Sequence, residues 1–186
     1  MNTWSKTSPV TAVVATGVGA ALFFVLGRFL AIPTPIPNTT INIQYALLAV
    51  FALLFGPIVA GLMGFIGHVL IDLSLYGPWW SWIIATAVAG FLMGIFLLRD
   101  KVQDSGITTG GLIRFNVGVA AAHAIAWLLV APSLDIWIYS EPSDKVFVQG
   151  GVAAISNILT SCIIGTIIVV AYAKTRTSEG SLKVSQ

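Results

Sequence analysis

Residues 44–71 read QYALLAVFALLFGPIVAGLMGFIGHVLI, an uncharged and almost wholly apolar run that is interrupted by Gly56-Pro57. Proline removes a backbone hydrogen bond and clashes with the preceding turn, so a helix kinks or breaks at this position. The run is therefore either one kinked helix or two helices joined by a tight turn. This choice decides whether the chain crosses a membrane five times or six.

The composition of the whole chain is that of a polytopic membrane protein. Hydrophobic residues make up 57% of its 186 residues and charged residues 9%, against roughly 45–50% and about 25% in soluble domains. The mean hydropathy is +0.94. We expect one integral membrane domain over residues 1–186, with no room for a soluble catalytic domain. The single cysteine argues against a disulfide or a cysteine-ligated metal, and a net charge of +2 is too small to suggest nucleic acid binding.

The distribution of basic residues favours six spans with both termini in the cytoplasm. Cytoplasmic segments carry the excess of Lys and Arg, and five spans would leave a basic loop or terminus on the wrong side. With six spans, seven of the nine basic residues face the cytoplasm: Lys6, Arg99, Lys101, Arg114, Lys174, Arg176 and Lys183. The prediction is an all-α protein whose transmembrane helices cover about 10–31, 44–56, 57–75, 79–98, 112–131 and 146–173. The second span is short, so we expect it either to lie mostly against protein or to begin near Ile41.

This topology places three connections outside the cell, at residues 32–42, 72–79 and 132–145. The first belongs to IPTPIPNTTINIQY (residues 32–45), which holds three prolines, three threonines, two asparagines and a glutamine but no charge. An uncharged polar loop at a membrane surface indicates a lid or wall over a small, mostly neutral ligand. Asn38 and Gln44 are its candidate ligand contacts.

Further candidate ligand contacts lie near the same surface. His68 and Asp72 are one helical turn apart and can hydrogen-bond, and ionisable groups at membrane depth are candidates for function. Tyr76, Trp79 and Trp80 offer aromatic faces for a flat heterocycle. His123 and Trp127 share one helical face, and Gln149 offers an amide. The alternatives are a structural polar pair, an interfacial aromatic belt and helix-to-helix hydrogen bonds. With only two histidines, a metal site is not predicted.

The first span carries small residues at helical spacing, which allow another helix to approach closely in lipid. They are Ala12, Ala15, Thr16, Gly19 and Ala20. Either a partner protein or a neighbouring span of the same chain could use them.

Catalysis finds little support, because the chain has no nucleophile elbow, no HExxH and no phosphate-binding loop. We therefore expect neither enzymatic activity nor a cofactor. Two alternatives to a binding subunit stay open. One is a stand-alone secondary carrier of a small neutral solute, and the other is an intramembrane enzyme that uses His68 and Asp72.

Three stretches carry a resemblance to a known family: IPTPIPNTTINIQYALLAVFALLFGP, GLMGFIGHVLIDLSLYGPWWSW and KVFVQGGVAAISN. They resemble the substrate-binding S components of energy-coupling factor (ECF) transporters, in the branch of the riboflavin and hydroxymethylpyrimidine types. The resemblance covers about residues 10–173.

The resemblance implies a six-helix subunit, without its own ATPase activity, in a prokaryotic cytoplasmic membrane. Its partners would be the transmembrane coupling protein EcfT, reached through small residues of the first helix, and two cytoplasmic ATPases. It also implies that a vitamin or vitamin precursor is captured at the outer face and delivered by toppling of the subunit in the lipid bilayer. A hydroxymethylpyrimidine or pyridoxine-like heterocycle fits the Trp, His and amide groups better than the bulkier riboflavin.

Overall fold

The computed structural model describes residues 8–97 and 107–175, which form a helical bundle with one very short strand pair. The helices are α1 (Pro9–Phe29), α2 (Gln44–Phe55), α3 (Pro57–Leu75), α4 (Trp80–Phe96), α5 (Thr109–Ile125), α6 (Ala131–Tyr139) and α7 (Ser143–Lys174). A π-helical turn, Ala126–Val130, joins α5 and α6 into one run. The strands β1 (Ile32–Pro33) and β2 (Thr40–Ile41) pair antiparallel. Lys6, Arg99, Lys101, Arg176 and Lys183, which the predicted topology places in the cytoplasm, lie outside the described residues.

Four helical segments are long and apolar enough to cross a membrane: α1, α3, the run Thr109–Tyr139 and α7. The helices α2 and α4 are apolar but shorter. The described part of the chain therefore has the six apolar helical segments that were predicted. Four of them are long enough to count as membrane spans by themselves.

The Gly56-Pro57 pair separates α2 from α3. Gly56 has a φ of 86°, a left-handed conformation that glycine adopts without strain, and its N–H closes α2 on the carbonyl of Ala52 at 3.0 Å. Pro57 is then the first residue of α3, where a missing N–H costs nothing. The apolar run of residues 44–71 is thus two helices, as the six-helix interpretation requires.

The short helix α2 lies in the middle of the bundle. Its 12 residues span about 18 Å at 1.5 Å per residue. Its buried residues are Gln44, Tyr45, Ala46, Leu48, Ala49, Val50, Ala52 and Leu53. A helix that is apolar all round is stable when protein surrounds it, and this helix meets the expectation that a short second span lies against protein.

Small residues bring α1, α3 and α4 into close contact. A Cβ atom on Gly90 of α4 would stand 2.6 Å from the carbonyl oxygen of Ala60, so α3 approaches at a distance that only glycine permits. On α1, Ala15, Gly19 and Ala20 are buried within the chain itself, and a Cβ on Gly19 would meet the Met63 side chain. These three residues therefore serve the internal packing that the sequence left as an alternative.

The fifth helical run continues past residue 131, the predicted end of that span, to Tyr139. A π turn lies at this point, because the N–H of Ala131 donates to the carbonyl of Ala126 and so closes a wider turn than an α-helix has. Pro132 follows at once and has no N–H to donate, and the wider turn lets the helix continue past it. Ser140 then ends the helix with a left-handed φ of 55°. Most of the connection expected at residues 132–145 is consequently helical.

Candidate functional site

A cavity of about 690 Å³ lies at the end of the bundle where α1 and α3 end and α2, α4 and α7 begin. This volume is within the range of roughly 300–1,000 Å³ that is usual for small-molecule sites. Eight of the ten predicted ligand contacts line it: Asn38, Gln44, His68, Asp72, Tyr76, Trp79, Trp127 and Gln149. The other two do not. Trp80 is 45% exposed on the bundle surface, and His123 is fully buried behind Trp127.

Residues 32–43 form the covering loop of the cavity, and its polar side chains mostly bond to its own backbone. The Thr34 hydroxyl donates to the carbonyl of Thr39 at 2.8 Å and accepts from the N–H of Ile36. The Thr39 hydroxyl donates to the carbonyl of Pro37. These bonds and the β1–β2 pair let the loop hold its shape with neutral residues. This explains how a polar segment can lie over the cavity without charges.

Two hydrogen bonds tie the covering loop to α7. The Gln149 side-chain amide donates to the carbonyl of Pro37 at 2.8 Å, and the Thr160 hydroxyl donates to the carbonyl of Asn42 at 2.8 Å. Gln149 thus lines the cavity and holds the loop at the same time.

Three tryptophans, Trp79, Trp82 and Trp127, form the aromatic wall of the cavity. The rings of Trp82 and Trp127 are stacked, with centroids 5.3 Å apart and an interplanar angle of 27°. Tyr45 meets Trp127 edge-on at 5.4 Å. Since α4 begins at Trp80, Trp79 and Trp82 are three residues apart and share a face, while Trp80 turns away. This is why Trp82 is in the wall and Trp80 is not.

A buried carboxylate holds two of the three tryptophans. Asp135, which is 1% exposed, accepts hydrogen bonds from Trp79 Nε1 and Trp82 Nε1, both at 2.7 Å, and a further one from the Ser81 hydroxyl. Charge-assisted hydrogen bonds of this kind are about twice as strong as neutral ones. The sequence interpretation treated Asp135 as a loop charge. The signal that identifies it is its position inside the apolar helix α6, because ionisable groups at membrane depth need a reason to be there.

A neutral chain holds the third tryptophan. Trp127 Nε1 donates to His123 Nδ1 at 2.9 Å, so the other ring nitrogen of His123 carries the proton and donates to the Ser161 hydroxyl at 3.0 Å. His123 therefore acts on the cavity through Trp127, as a positioning residue.

His68 and Asp72 line the cavity as a pair but have different main partners. His68 Nδ1 lies 2.6 Å from the Thr86 hydroxyl, which is itself 3.1 Å from that of Tyr45. His68 Nε2 is 3.5 Å from Asp72 Oδ1. Asp72 Oδ2 accepts the backbone N–H of Trp79 at 2.9 Å, which fixes the start of the aromatic wall.

Tyr76, just beyond α3, is largely exposed, yet its hydroxyl reaches Asp72 Oδ1 at 3.3 Å. Desolvation of that hydroxyl, together with the negative charge of Asp72, raises the pKa of Tyr76 to about 12. The hydroxyl is thus protonated at physiological pH and acts as a donor.

Two amide side chains, Gln44 and Asn157, form the polar floor of the cavity. They are 4% and 1% exposed. In residues 8–97 and 107–175, Gln44 Oε1 and Asn157 Oδ1 are the two buried side-chain polar atoms without a hydrogen-bond partner. Such atoms are rare in folded proteins. Of the two, the sequence predicted only Gln44 as a ligand contact, since an asparagine in the middle of a span, such as Asn157, is equally suited to bonding a neighbouring helix.

The charged residues that line the cavity carry more negative than positive charge. Asp72, Asp135 and Glu141 face Arg28 and Lys145. Lys145 is exposed and bonds Glu141 at 2.6 Å, and the guanidinium of Arg28 lies 5.4 Å from the Phe29 ring centroid. In the described part of the chain no three His, Cys, Asp or Glu residues come together as a metal site.

The fold and the site define the class of a membrane-embedded binding protein with a covered cavity at one end. The family model of the ECF-type riboflavin transporter S component matches residues 7–174. The chain therefore belongs to the S components of ECF transporters. These are substrate-binding subunits for vitamin uptake and are not themselves enzymes.

Two relatives match nearly the whole length of the chain. A UPF0397 protein of Exiguobacterium sp. is 56% identical over 172 residues, which are 92% of this chain and 94% of the relative. A UPF0397 protein of Enterococcus faecalis is 48% identical over 174 residues, 93% of this chain and 95% of the relative.

Two crystal structures share the fold. FolT bound with folic acid has a TM-score of 0.61 and 17% identity, over 89% of this chain and 94% of FolT. The S component for biotin from an ECF-type ABC transporter has a TM-score of 0.61 and 21% identity, over 94% of this chain and 96% of that one. At such identities the likeness concerns the fold alone.

Proposed function

We propose that this S component captures a small aromatic heterocycle in the cavity. The ligand would be a vitamin or vitamin precursor of the hydroxymethylpyrimidine, pyridoxine or riboflavin type. The observation that carries the proposal is the aromatic wall, because its tryptophan N–H groups are already bonded within the protein and the partly exposed rings of Trp79 and Trp82 can offer a face to a flat ligand. Trp127, which is 1% exposed and stacked on Trp82, backs them. The covering loop closes the opposite side with neutral groups. The volume of about 690 Å³ admits one-ring and three-ring ligands alike.

The arrangement of the helix ends supports an outward-facing cavity and cytoplasmic termini. Since α1 ends and α7 begins at the cavity, the start of α1 and the end of α7 both lie at the opposite end of the bundle. The described basic residues divide equally, with Arg114 and Lys174 at that opposite end and Arg28 and Lys145 at the cavity. The remaining five adjoin in sequence the helix ends away from the cavity: Lys6, Arg99, Lys101, Arg176 and Lys183. By the positive-inside rule, this excess supports a cavity on the outside of a prokaryotic cell membrane.

Delivery of the ligand would require EcfT and two cytoplasmic ATPases, with toppling of the S component in the bilayer. Of the small residues of α1, Ala12 and Thr16 are half-buried, whereas Gly17 and Ala21 are exposed on its outer face. A Cβ on Gly17 would meet no atom of the chain within 4 Å. Helical geometry puts Ala12 and Thr16 on the same side of α1 as the buried Ala15 and Gly19. We therefore propose that EcfT contacts the exposed face around Gly17 and Ala21. The residues predicted from sequence, Ala12, Ala15, Thr16, Gly19 and Ala20, lie on the side of α1 that packs within the chain.

The proposal is tested by purifying the chain and identifying the small molecules it releases by mass spectrometry. Isothermal titration with hydroxymethylpyrimidine, pyridoxine and riboflavin follows. We expect one ligand per chain, and uptake into proteoliposomes only when EcfT and both ATPases are present. Absence of binding across a broad vitamin panel would overturn the proposal, and uptake by this chain alone would identify a stand-alone carrier.

A further inference from the structure

We infer that His68 donates a hydrogen bond from Nε2 to the ligand, and that the ligand therefore presents an acceptor in the plane of its ring, a ring nitrogen or a ring carbonyl. The inference rests on the proposed function and adds to it the group that recognises the edge of the heterocycle. It follows from the hydrogen bonds of Nδ1, from the lack of a partner for Nε2 and from the position of Nε2 beside the aromatic wall.

A chain of hydroxyl groups fixes the proton of His68 on Nε2. Nδ1 lies 2.6 Å from the Thr86 hydroxyl, which lies 3.1 Å from the hydroxyl of Tyr45. Thr86 and Tyr45 are both buried, and neither hydroxyl has another hydrogen-bond partner among the described residues. Each hydroxyl hydrogen finds an acceptor only if Tyr45 donates to Thr86 and Thr86 donates to Nδ1. Nδ1 is then an acceptor, and Nε2 carries the N–H.

Nε2 has no hydrogen-bond partner in the part of the chain that the structure describes. Asp72 Oδ1 is 3.5 Å away, beyond the roughly 2.7–3.2 Å of an N–H···O bond. The buried polar atoms without a partner are on Gln44 and Asn157, and Nε2 is not among them. The side chain of His68 is 14% exposed and lines the cavity. Nε2 is therefore an accessible donor that the protein itself leaves free.

Nε2 also lies beside the start of the aromatic wall. The Asp72 carboxylate, whose Oδ1 is 3.5 Å from Nε2, accepts the backbone N–H of Trp79 through Oδ2 at 2.9 Å. A flat ligand that stacks on Trp79 or Trp82 turns its edge to the surrounding side chains. The lone pairs of a ring nitrogen or a ring carbonyl lie in the ring plane and point outward at that edge, so they are the matching acceptors for the N–H of His68.

The ligand-side experiment removes one acceptor at a time. Hydroxymethylpyrimidine and pyridoxine are compared with analogues in which C–H replaces one ring nitrogen. Riboflavin is compared with its deaza analogues and with thio analogues, in which sulfur, a weaker acceptor, replaces a carbonyl oxygen. For each compound that binds, we expect one replacement to lower the affinity by about tenfold, the worth of a hydrogen bond whose donor is left unpaired. Equal affinities throughout such a set would overturn the inference.

The protein-side experiment combines the same compounds with two variants. His68→Leu removes the donor at similar size, whereas His68→Gln places an amide N–H close to the position of Nε2. With the parent compound we expect His68→Leu to lose about tenfold in affinity and His68→Gln to keep most of it. His68→Leu should bind the weakened analogue as well as the parent compound, because the interaction is absent from both. If the analogue is still about tenfold weaker in His68→Leu, another residue meets the acceptor and the inference is wrong.

Nitrogen NMR of the protein with isotope-labelled histidine tests the tautomer and separates this role from a structural one. The chain has two histidines, and the signals of His68 are those that disappear in His68→Gln. In the ligand-free protein we expect a proton on Nε2 and none on Nδ1, and the Nε2 signal should move when a compound binds. A proton on Nδ1 alone, or an Nε2 signal that binding leaves in place, would overturn the inference. If no compound binds the wild-type chain, the proposed function itself fails, which is a different result from binding without His68.

Discussion

The aromatic wall and the polar floor line the same cavity, but they differ in whether their polar atoms have partners. Every indole N–H of the wall bonds within the chain, two to the carboxylate of Asp135 and one to His123. Among the described residues, the amide oxygens of the floor, on Gln44 and Asn157, have no hydrogen-bond partner. The wall is thus fully bonded within the protein, and the floor is not.

This difference matters for binding under the proposed function. A wall that is already ordered lowers the entropy cost of binding, because no side chain has to be fixed when the ligand stacks on it. We therefore expect damage to the wall to lower the affinity for every ligand.

The largest effect is expected from Asp135→Asn. The substitution places an NH₂ group opposite at least one of the donors that now bond to the carboxylate, so the wall loses its support. Loss of charge-assisted bonds should weaken binding of every ligand by about 100-fold, which corresponds to roughly 3 kcal/mol. Titration calorimetry measures the loss, and tryptophan fluorescence should report altered indole surroundings.

The matched control for this experiment is Asp144→Asn. It makes the same chemical change on an exposed carboxylate at the same end of the bundle, outside the cavity lining. Wild-type affinity in both variants would show that the wall does not depend on Asp135.

A smaller effect is expected from Gly150→Ala, which acts on the other side of the wall. The new Cβ would collide with the carbonyl oxygen of Trp127 and lie 3.1 Å from the Pro132 ring. Moving α7 away from Trp127 should lower the free energy of unfolding by about 1–3 kcal/mol, as for other overpacked sites. Binding should weaken by about tenfold. Thermal unfolding in detergent and calorimetry measure the two effects.

Gly151→Ala provides the comparison for Gly150→Ala, because a Cβ at Gly151 meets no atom within 4 Å. It should leave stability and binding unchanged or slightly improved, since alanine favours helix. Equal behaviour of the two variants would contradict the close approach of α7 to Trp127.

The smallest effect is expected in the covering loop, at Asn38. Its φ of 55° is left-handed, a region that asparagine and glycine tolerate and alanine disfavours by about 1 kcal/mol. Asn38→Ala should weaken binding by about fivefold, and Asn38→Gly should restore most of the affinity if the backbone conformation is what matters. Equal losses in both would assign the effect to the side chain. Assembly with EcfT, measured by pull-down, should be unaffected in both variants.

Local chemistry in the sequence predicted much of this architecture. Gly56-Pro57 indicated the break between α2 and α3, and the uncharged, Pro-rich stretch indicated the covering loop. Trp79, Trp127 and Gln149 could be proposed because aromatic rings and amides at one membrane surface suit a heterocyclic ligand. Each of these signals is contained in a few neighbouring residues.

The remaining features depend on contacts that no short segment contains. Asp135 enters the wall only because the π turn at Ala126–Val130 lets the helix continue past Pro132. The choice of Trp82 over Trp80 depends on the residue at which α4 begins. The small residues of α1 fit an internal or an external partner equally well until the position of Met63 on α3 is known.

The shortness of α2 has a consequence for the response of binding to salt. The helix covers about 18 Å of a hydrocarbon core that is about 30 Å thick. With its other end at the inner boundary, the first residue of α2, Gln44, would lie roughly 12 Å below the outer boundary of that core. Protein and lipid at that depth hold no mobile ions, so salt screens interactions there much less than at the surface. Binding at the floor should therefore be nearly independent of ionic strength.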